Sequence, residues 1–272
     1  MEKSIHPGNG PGSDAAKGNQ ADRSGGQMLK AVLLDLDNTL VLFNEQVFYQ
    51  HYFELIAPWF ADIMPSNQVG PRLLQATSAL LENNGQAMNV EFFLDAFCAE
   101  LPTSRAGIWE RFHEFYATDY DNISVPVRVP DQLCAVLDKL AACHLPLVVA
   151  SNPVFPRIAQ EKRLAWSGLG SDRFHLLTHI ENMSYVKPRL GYFRQICTKL
   201  GLAPKECLMV GNDPSNDMAA GAAGLKTYLT TEAAAGEYAS LAVTAEGADQ
   251  LVKPDYQGPL AGLTSVIEAL LT

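Results

Sequence analysis

Two aspartates one residue apart, Asp35 and Asp37, end an apolar run in the stretch AVLLDLDNTL, residues 31–40. Ala31, Val32, Leu33 and Leu34 follow one another without alternation, the pattern of a strand buried on both faces of a parallel sheet. Such a strand delivers the residues after it to the carboxyl edge of the sheet, where open α/β sheets bind ligands. Alternation aims both carboxylates to one side, and two like charges so placed repel unless a cation or a proton lies between them. That arrangement points to a metal site with one acid left over. Three further signals follow in order, each at the end of an apolar run: Ser151 in LVVASN, Lys187 in YVKP, and the acidic loop of LMVGNDPSND, residues 211–217.

The elements that must position these residues fall into two kinds. From residue 131 onward the chain alternates in βα fashion. The expected order is helix 131–143, strand 145–150, helix 156–166, strand 174–178, helix 190–200, strand 207–210, helix 216–223, strand 227–229 and a last helix 260–271. Repeated β-α-β units with short connections imply a parallel sheet with right-handed crossovers. Between residues 44 and 122 the period is helical instead. Phe48, Tyr52, Leu55, Ile56, Trp59 and Ile63 recur three or four apart in a first helix ending before Pro65. A second helix is expected near 72–82, a third from an N-cap at Asn89, and a fourth from about Ser104. The aromatics of this segment read as the core of a small bundle, and VPVRVP, residues 125–130, reads as the extended return to the sheet. Residues 1–27 are rich in Gly, Ser, Asn and Asp with no apolar stretch, and are expected to be disordered. The Ala- and Gly-rich stretch 231–247 has no assignable period.

Taken in order, the four motifs resemble those of the haloacid dehalogenase superfamily of phosphohydrolases, over about residues 29–272. The resemblance implies an α/β fold: a Rossmann-like parallel-sheet core, residues 28–43 and 124–272, with an inserted all-α helical-bundle cap, residues 44–123. It also implies roles. Asp35 is the expected nucleophile, attacking phosphorus to give an aspartyl-phosphate. Asp37 is the expected acid that protonates the leaving alkoxide and then the base that takes a proton from water. Ser151 and the amide of Asn152 are expected to donate to a phosphoryl oxygen, and Lys187 to neutralise charge on both nucleophile and phosphoryl group. Mg2+ is the expected cofactor, held by Asp35, the backbone carbonyl of Asp37 and an acid of the 211–217 loop.

That loop departs from the commonest family form, because Asn212 stands directly after Gly211 and Asp213 comes one later. Asp213 is our expected metal ligand. In the alternative, Asn212 ligates through its amide oxygen while Asp213 and Asp217 act through water. Thr39 belongs to the turn after the strand, as a supporting hydroxyl. Polar residues near the ends of the insert, Asn44, Gln46 and Arg128, and Arg157 beyond the second motif are candidate substrate contacts. The resemblance thus implies a phosphatase acting on a small phosphorylated metabolite. Its alternatives are a phosphomutase or phosphonate-cleaving relative, or a non-catalytic binding protein of the same fold. A strict haloacid dehalogenase would need neither Asp37 nor the loop acids.

Composition narrows the partners. The 272-residue chain is 47% hydrophobic and 18% charged, the profile of a globular chain with ample core. A formal charge of −10 argues against a nucleic-acid backbone or an anionic membrane as partner, since both attract basic surfaces. The five cysteines are scattered without a C-x-x-C, so they read as reduced, mostly buried thiols of a cytoplasmic protein. No run approaches the roughly 18 apolar residues of a membrane span.

Overall fold

The computed structural model describes residues 28–233 and 252–272. The expectations for residues 1–27, and for most of 231–247, lie outside the described residues. In chain order the elements are β1 (Ala31–Leu34), β2 (Leu42–Phe43), α1 (Glu45–Ile56), α2 (Ser66–Ala79), α3 (Asn89–Cys98), α4 (Arg105–Ala117), β3 (Val127–Arg128), α5 (Leu133–Ala142) and β4 (Leu147–Val149). They continue with α6 (Arg157–Trp166), β5 (Leu176–Leu177), α7 (Leu190–Leu200), β6 (Cys207–Gly211), α8 (Ala220–Ala223), β7 (Lys226–Thr230), β8 (Tyr256–Gly258) and α9 (Leu263–Leu271).

Six strands form one sheet in the order β5-β4-β1-β6-β7-β8, with every neighbouring pair parallel. This is the doubly wound, Rossmann-like order: the chain steps outward from β1 to β4 and β5, then returns to build β6, β7 and β8 on the other side. The reversal leaves a crevice above β1, between the carboxyl ends of β4 and β6. All four residues of β1 are wholly buried because both faces are covered. Val32 and Leu34 pack into one cluster with Leu137 of α5 and Ile267 of α9, while Ala31 and Leu33 pack into another with Phe193 and Ile196 of α7. That two-sided burial explains the unbroken apolar run.

Helices α1 to α4 leave the sheet and return through an antiparallel ribbon, in which Leu42 pairs with Arg128 and Phe43 with Val127. Pro58 ends α1 earlier than its apolar period suggested, at Ile56, because proline cannot donate to the helix ladder; residues Ala57–Phe60 tighten into a 3-10 turn. The second helix starts six residues earlier than expected, at Ser66, with Pro71 tolerated inside it. Asn89 is not the cap of α3 but its first residue, Met88 taking the cap position. Its amide is spent elsewhere: Nδ2 donates to the carbonyls of Tyr185 (3.1 Å) and Pro153 (3.4 Å). Arg189 reaches the other way, donating to the Leu81 carbonyl at 2.6 Å. Apolar contact reinforces these ties, since Phe155, just before α6, meets Tyr52 of α1 with ring centroids 5.6 Å apart. The four helices and the sheet therefore share one continuous apolar cluster.

Beyond Asp213 the chain turns before helix begins, so α8 is only four residues long rather than eight. Only Cys197 and Cys207 are buried; Cys98 is half-buried and Cys134 and Cys143 are exposed, against the expectation of mostly buried thiols. All five are free. No helix among the described residues is long and apolar enough to cross a membrane.

Candidate active site

The crevice gathers the ends of three strands and two loops into one pocket. Asp35 and Asp37 follow β1, Ser151 and Asn152 follow β4, Asn212 and Asp213 follow β6, Lys187 precedes α7, and Asp217 closes the acidic loop; all of them line it. Thr39 stands just behind, wholly buried, its hydroxyl donating to Asn212 Oδ1 at 3.2 Å. The residues given catalytic, phosphate-binding, metal-binding or supporting roles from the sequence are thus brought to one place.

At the centre lies a buried cation between two acids. Lys187 Nζ donates to Asp35 Oδ1 at 2.7 Å and to Asp217 Oδ1 at 2.6 Å, with both Lys187 and Asp217 almost wholly out of water. Burial pulls the Lys187 ammonium toward neutrality, but the Asp217 and Asp35 carboxylates outweigh it and hold the lysine charged. Burial likewise raises the Asp35 carboxyl, against the pull of Lys187, and pushes Asp217 up to about 7. The amide oxygen of Asn152 accepts from Lys187 N at 3.2 Å, tying the second motif to the third.

Asp217 is seated by backbone. Its Oδ2 accepts from Asp213 N at 2.9 Å, and Gly211 lets the carboxylate approach so closely that a Cβ there would overlap it. Replacing Gly211 with Ala is therefore expected to displace Asp217, unhook Lys187 and lower stability by about 1–3 kcal/mol. A thermal melt of Gly211→Ala matching the parent within a degree would show that this contact is not needed.

Asp213 faces the pocket while bracing its own loop. Its Oδ1 accepts from the backbone amides of Ser215 and Asn216, and its Oδ2 from Asn216 Nδ2 at 2.8 Å. Asp213 is half-buried, whereas Asp217 is 1% exposed. Among the described residues no three His, Cys, Asp or Glu side chains stand close enough together to bind a metal by themselves. A magnesium ion does not require three, since it keeps several waters and takes one or two carboxylates.

The partner of Asp37 was not visible in the sequence. Arg163 of α6, 1% exposed, donates from Nη1 to Asp37 Oδ2 at 2.7 Å and from Nη2 to Gln160 Oε1 at 2.6 Å. Its guanidinium lies over the Phe155 ring, 4.4 Å from the centroid. Burial raises the Asp37 carboxyl; Arg163 and, more weakly, Lys187 pull it back down. Asp37 Oδ1 is buried with no hydrogen-bond partner among the described residues, an acceptor turned to no protein group. Glu45 and Tyr49 of α1 also line the pocket, and neither was singled out from the sequence. The polar residues proposed there as substrate contacts do other work. Asn44 caps α1 by accepting from Val47 N, Arg128 donates to the Glu232 carbonyl, Arg157 pairs with Glu161, and none of them, nor Gln46, lines the pocket.

A family model for haloacid dehalogenase-like hydrolases matches residues 29–224, so the chain belongs to that family of hydrolases. Solved structures share the fold. A predicted phosphoglycolate phosphatase from Haemophilus somnus 129PT is 20% identical, with 88% of this chain and 97% of that one covered at a TM-score of 0.50. CbbY from Rhodobacter sphaeroides, solved in complex with phosphate, is 16% identical with 85% and 93% covered at 0.51. An L-2-haloacid dehalogenase is 16% identical with 89% and 99% covered at 0.50. No curated protein matches the chain.

Proposed function

We propose that this hydrolase is a magnesium-dependent phosphatase of small phosphorylated substrates, working through an aspartyl-phosphate on Asp35. The observation that carries the reading is the pair of acids in one pocket with separate cationic partners: Lys187 on Asp35 and Arg163 on Asp37. A dehalogenase has no use for the second acid.

The donor set fits a magnesium ion. The pocket is lined by five carboxylates, Asp35, Asp37, Glu45, Asp213 and Asp217, against two cations, an excess of acid that a divalent cation offsets, and the unpartnered Asp37 Oδ1 is left to carry the proton of the acid. Asp35, the Asp37 backbone carbonyl and Asp213 would hold the ion, which when bound supplies charge that stabilises the transferring phosphoryl group. The chain's own residues do the rest. The Asp35 carboxylate attacks phosphorus, and the ester P–O bond breaks as the departing oxygen takes the proton of Asp37. Burial favours the neutral acid that this step needs, and Arg163 favours the carboxylate that it leaves. That carboxylate then takes a proton from water, whose oxygen attacks the phosphorus and releases Asp35 with inorganic phosphate. Positioned acid–base help of this kind is worth about 10²–10⁴ in rate. Lys187 and the donors at Ser151 and Asn152 meet the phosphoryl oxygens.

Within this reading, helices α1 to α4 are the cap, residues 44–123, set over the mouth of the pocket. Chelation is expected to abolish hydrolysis of an aryl phosphate, and added magnesium to restore it. Full activity after exhaustive EDTA treatment would remove the metal from the mechanism.

A further inference from the structure

Beside the catalytic pocket lies a second cavity of about 350 Å³, within the roughly 300–1,000 Å³ range of small-molecule sites. The two share Tyr49, Thr77, Val154 and Phe155, so the cavity adjoins the pocket that holds Asp35 and Asp37. Its character is the reverse of its neighbour's. None of its lining residues carries a charge, and its walls are largely rings, among them Phe53, Phe93, Trp109 and Phe112. The Tyr52 and Tyr116 hydroxyls on its wall bond to each other at 2.8 Å, which spends two of its few polar tips. Thr77 is its one aliphatic hydroxyl.

We propose that this cavity receives the organic group of the substrate, and that the substrate class is a phosphate monoester of an apolar, aromatic alcohol rather than of a polyol. The inference rests on the phosphatase reading above. A sugar or glycerol moiety entering here would exchange water for ring faces, leaving its hydroxyls unsatisfied. An aromatic group meets edge-to-face and offset partners on several sides and loses no hydrogen bond. Charge alone would bring any phosphate ester to the site. The apolar walls then select by what is attached to it.

Leaving-group reactivity must be held constant in the test, so primary alkyl esters are compared. With magnesium present, kcat/KM is measured by phosphate release for 2-(1-naphthyl)ethyl phosphate and for glycerol 3-phosphate. In parallel, the metal-free protein is titrated calorimetrically with 2-(1-naphthyl)ethanol, which has no phosphate. We expect the naphthyl ester to be preferred by about 100-fold, and the alcohol to bind saturably with a negative heat-capacity change. In Leu74→Trp, a substitution on the half-exposed lining of α2, the added ring fills the cavity, and both the selectivity ratio and the alcohol's affinity should fall about tenfold. Equal or better turnover of glycerol 3-phosphate overturns the cavity assignment while the phosphatase reading stands, as does failure of the alcohol to bind. Hydrolysis of neither ester, with the alcohol still bound, overturns the phosphatase reading and the substrate assignment with it, leaving an aromatic-ligand site. A Leu74→Trp protein that melts like the parent yet keeps the full ratio also counts against the assignment.

Discussion

Asp35→Asn and Asp37→Asn proteins are expected to fail at different steps, although the two residues look alike in sequence. The first substitution removes the attacking oxygen, so no phosphoryl group is transferred and turnover falls by about 10⁴-fold or more. The second leaves the nucleophile and its Lys187 partner in place. It removes the acid for the leaving group and the base for the attacking water, and leaves Arg163 buried without its counter-charge. With an aryl phosphate, whose leaving group needs little protonation, the first transfer survives better than the second. Phosphoenzyme therefore accumulates on Asp37→Asn. Intact mass spectrometry after acid quench should find one added phosphoryl group on that protein, and peptide mapping should put it on Asp35. An adduct formed equally on Asp35→Asn would refute the nucleophile assignment. No adduct on either would favour direct attack by water.

How much of this was legible without coordinates depended on whether each residue's chemistry agreed with its surroundings. Asp35 was legible because a strand buried on both faces stopped at it. Helix α7 was legible to the residue, Leu190–Leu200, because its apolar period runs straight into Gly201, which takes the left-handed conformation (φ 68°) that ends it. Strand β8 was missed because it is three residues, Tyr256–Gly258, at the edge of the sheet and followed by proline. Arg163 was illegible for a deeper reason. The buried face of α6 carries Ala159, Gln160, Arg163 and Leu164, at the spacing that ordinarily marks an apolar stripe, but half of it is polar. A hydropathy reading assigns Gln160 and Arg163 to solvent. The signal that was present is geometric: a glutamine and an arginine three apart, in register with Ala159 and Leu164. The polar candidates at the ends of the insert failed for the converse reason. Their side chains are polar because they cap, pair and face water.

Lys187 offers the larger structural test, because one ammonium compensates two buried carboxylates. In Lys187→Met, Asp35 and Asp217 lose the charge that each contacts within 2.7 Å, and nothing else among their described hydrogen bonds brings a cation. Breaking a buried pair by removing one partner costs about 3–5 kcal/mol, here with two acids stranded. Activity should be lost as well, since the phosphoryl oxygens lose their fixed positive partner. The pH dependence separates this cause from simple loss of packing. Burial already raises Asp217 from an ordinary 3.8 to about 7 with Lys187 present; without it the folded-state pKa rises further. A carboxyl whose folded pKa lies above its unfolded one binds more protons folded than unfolded throughout that window, so stability falls as pH climbs through it. Measured in EDTA, the melting deficit of Lys187→Met relative to the parent should therefore be greatest near pH 8 and shrink toward pH 5, as the stranded acids take up protons. A deficit constant across that range would mean that the lysine's stem, not its charge, holds the site together, and the electrostatic account of the centre would fall.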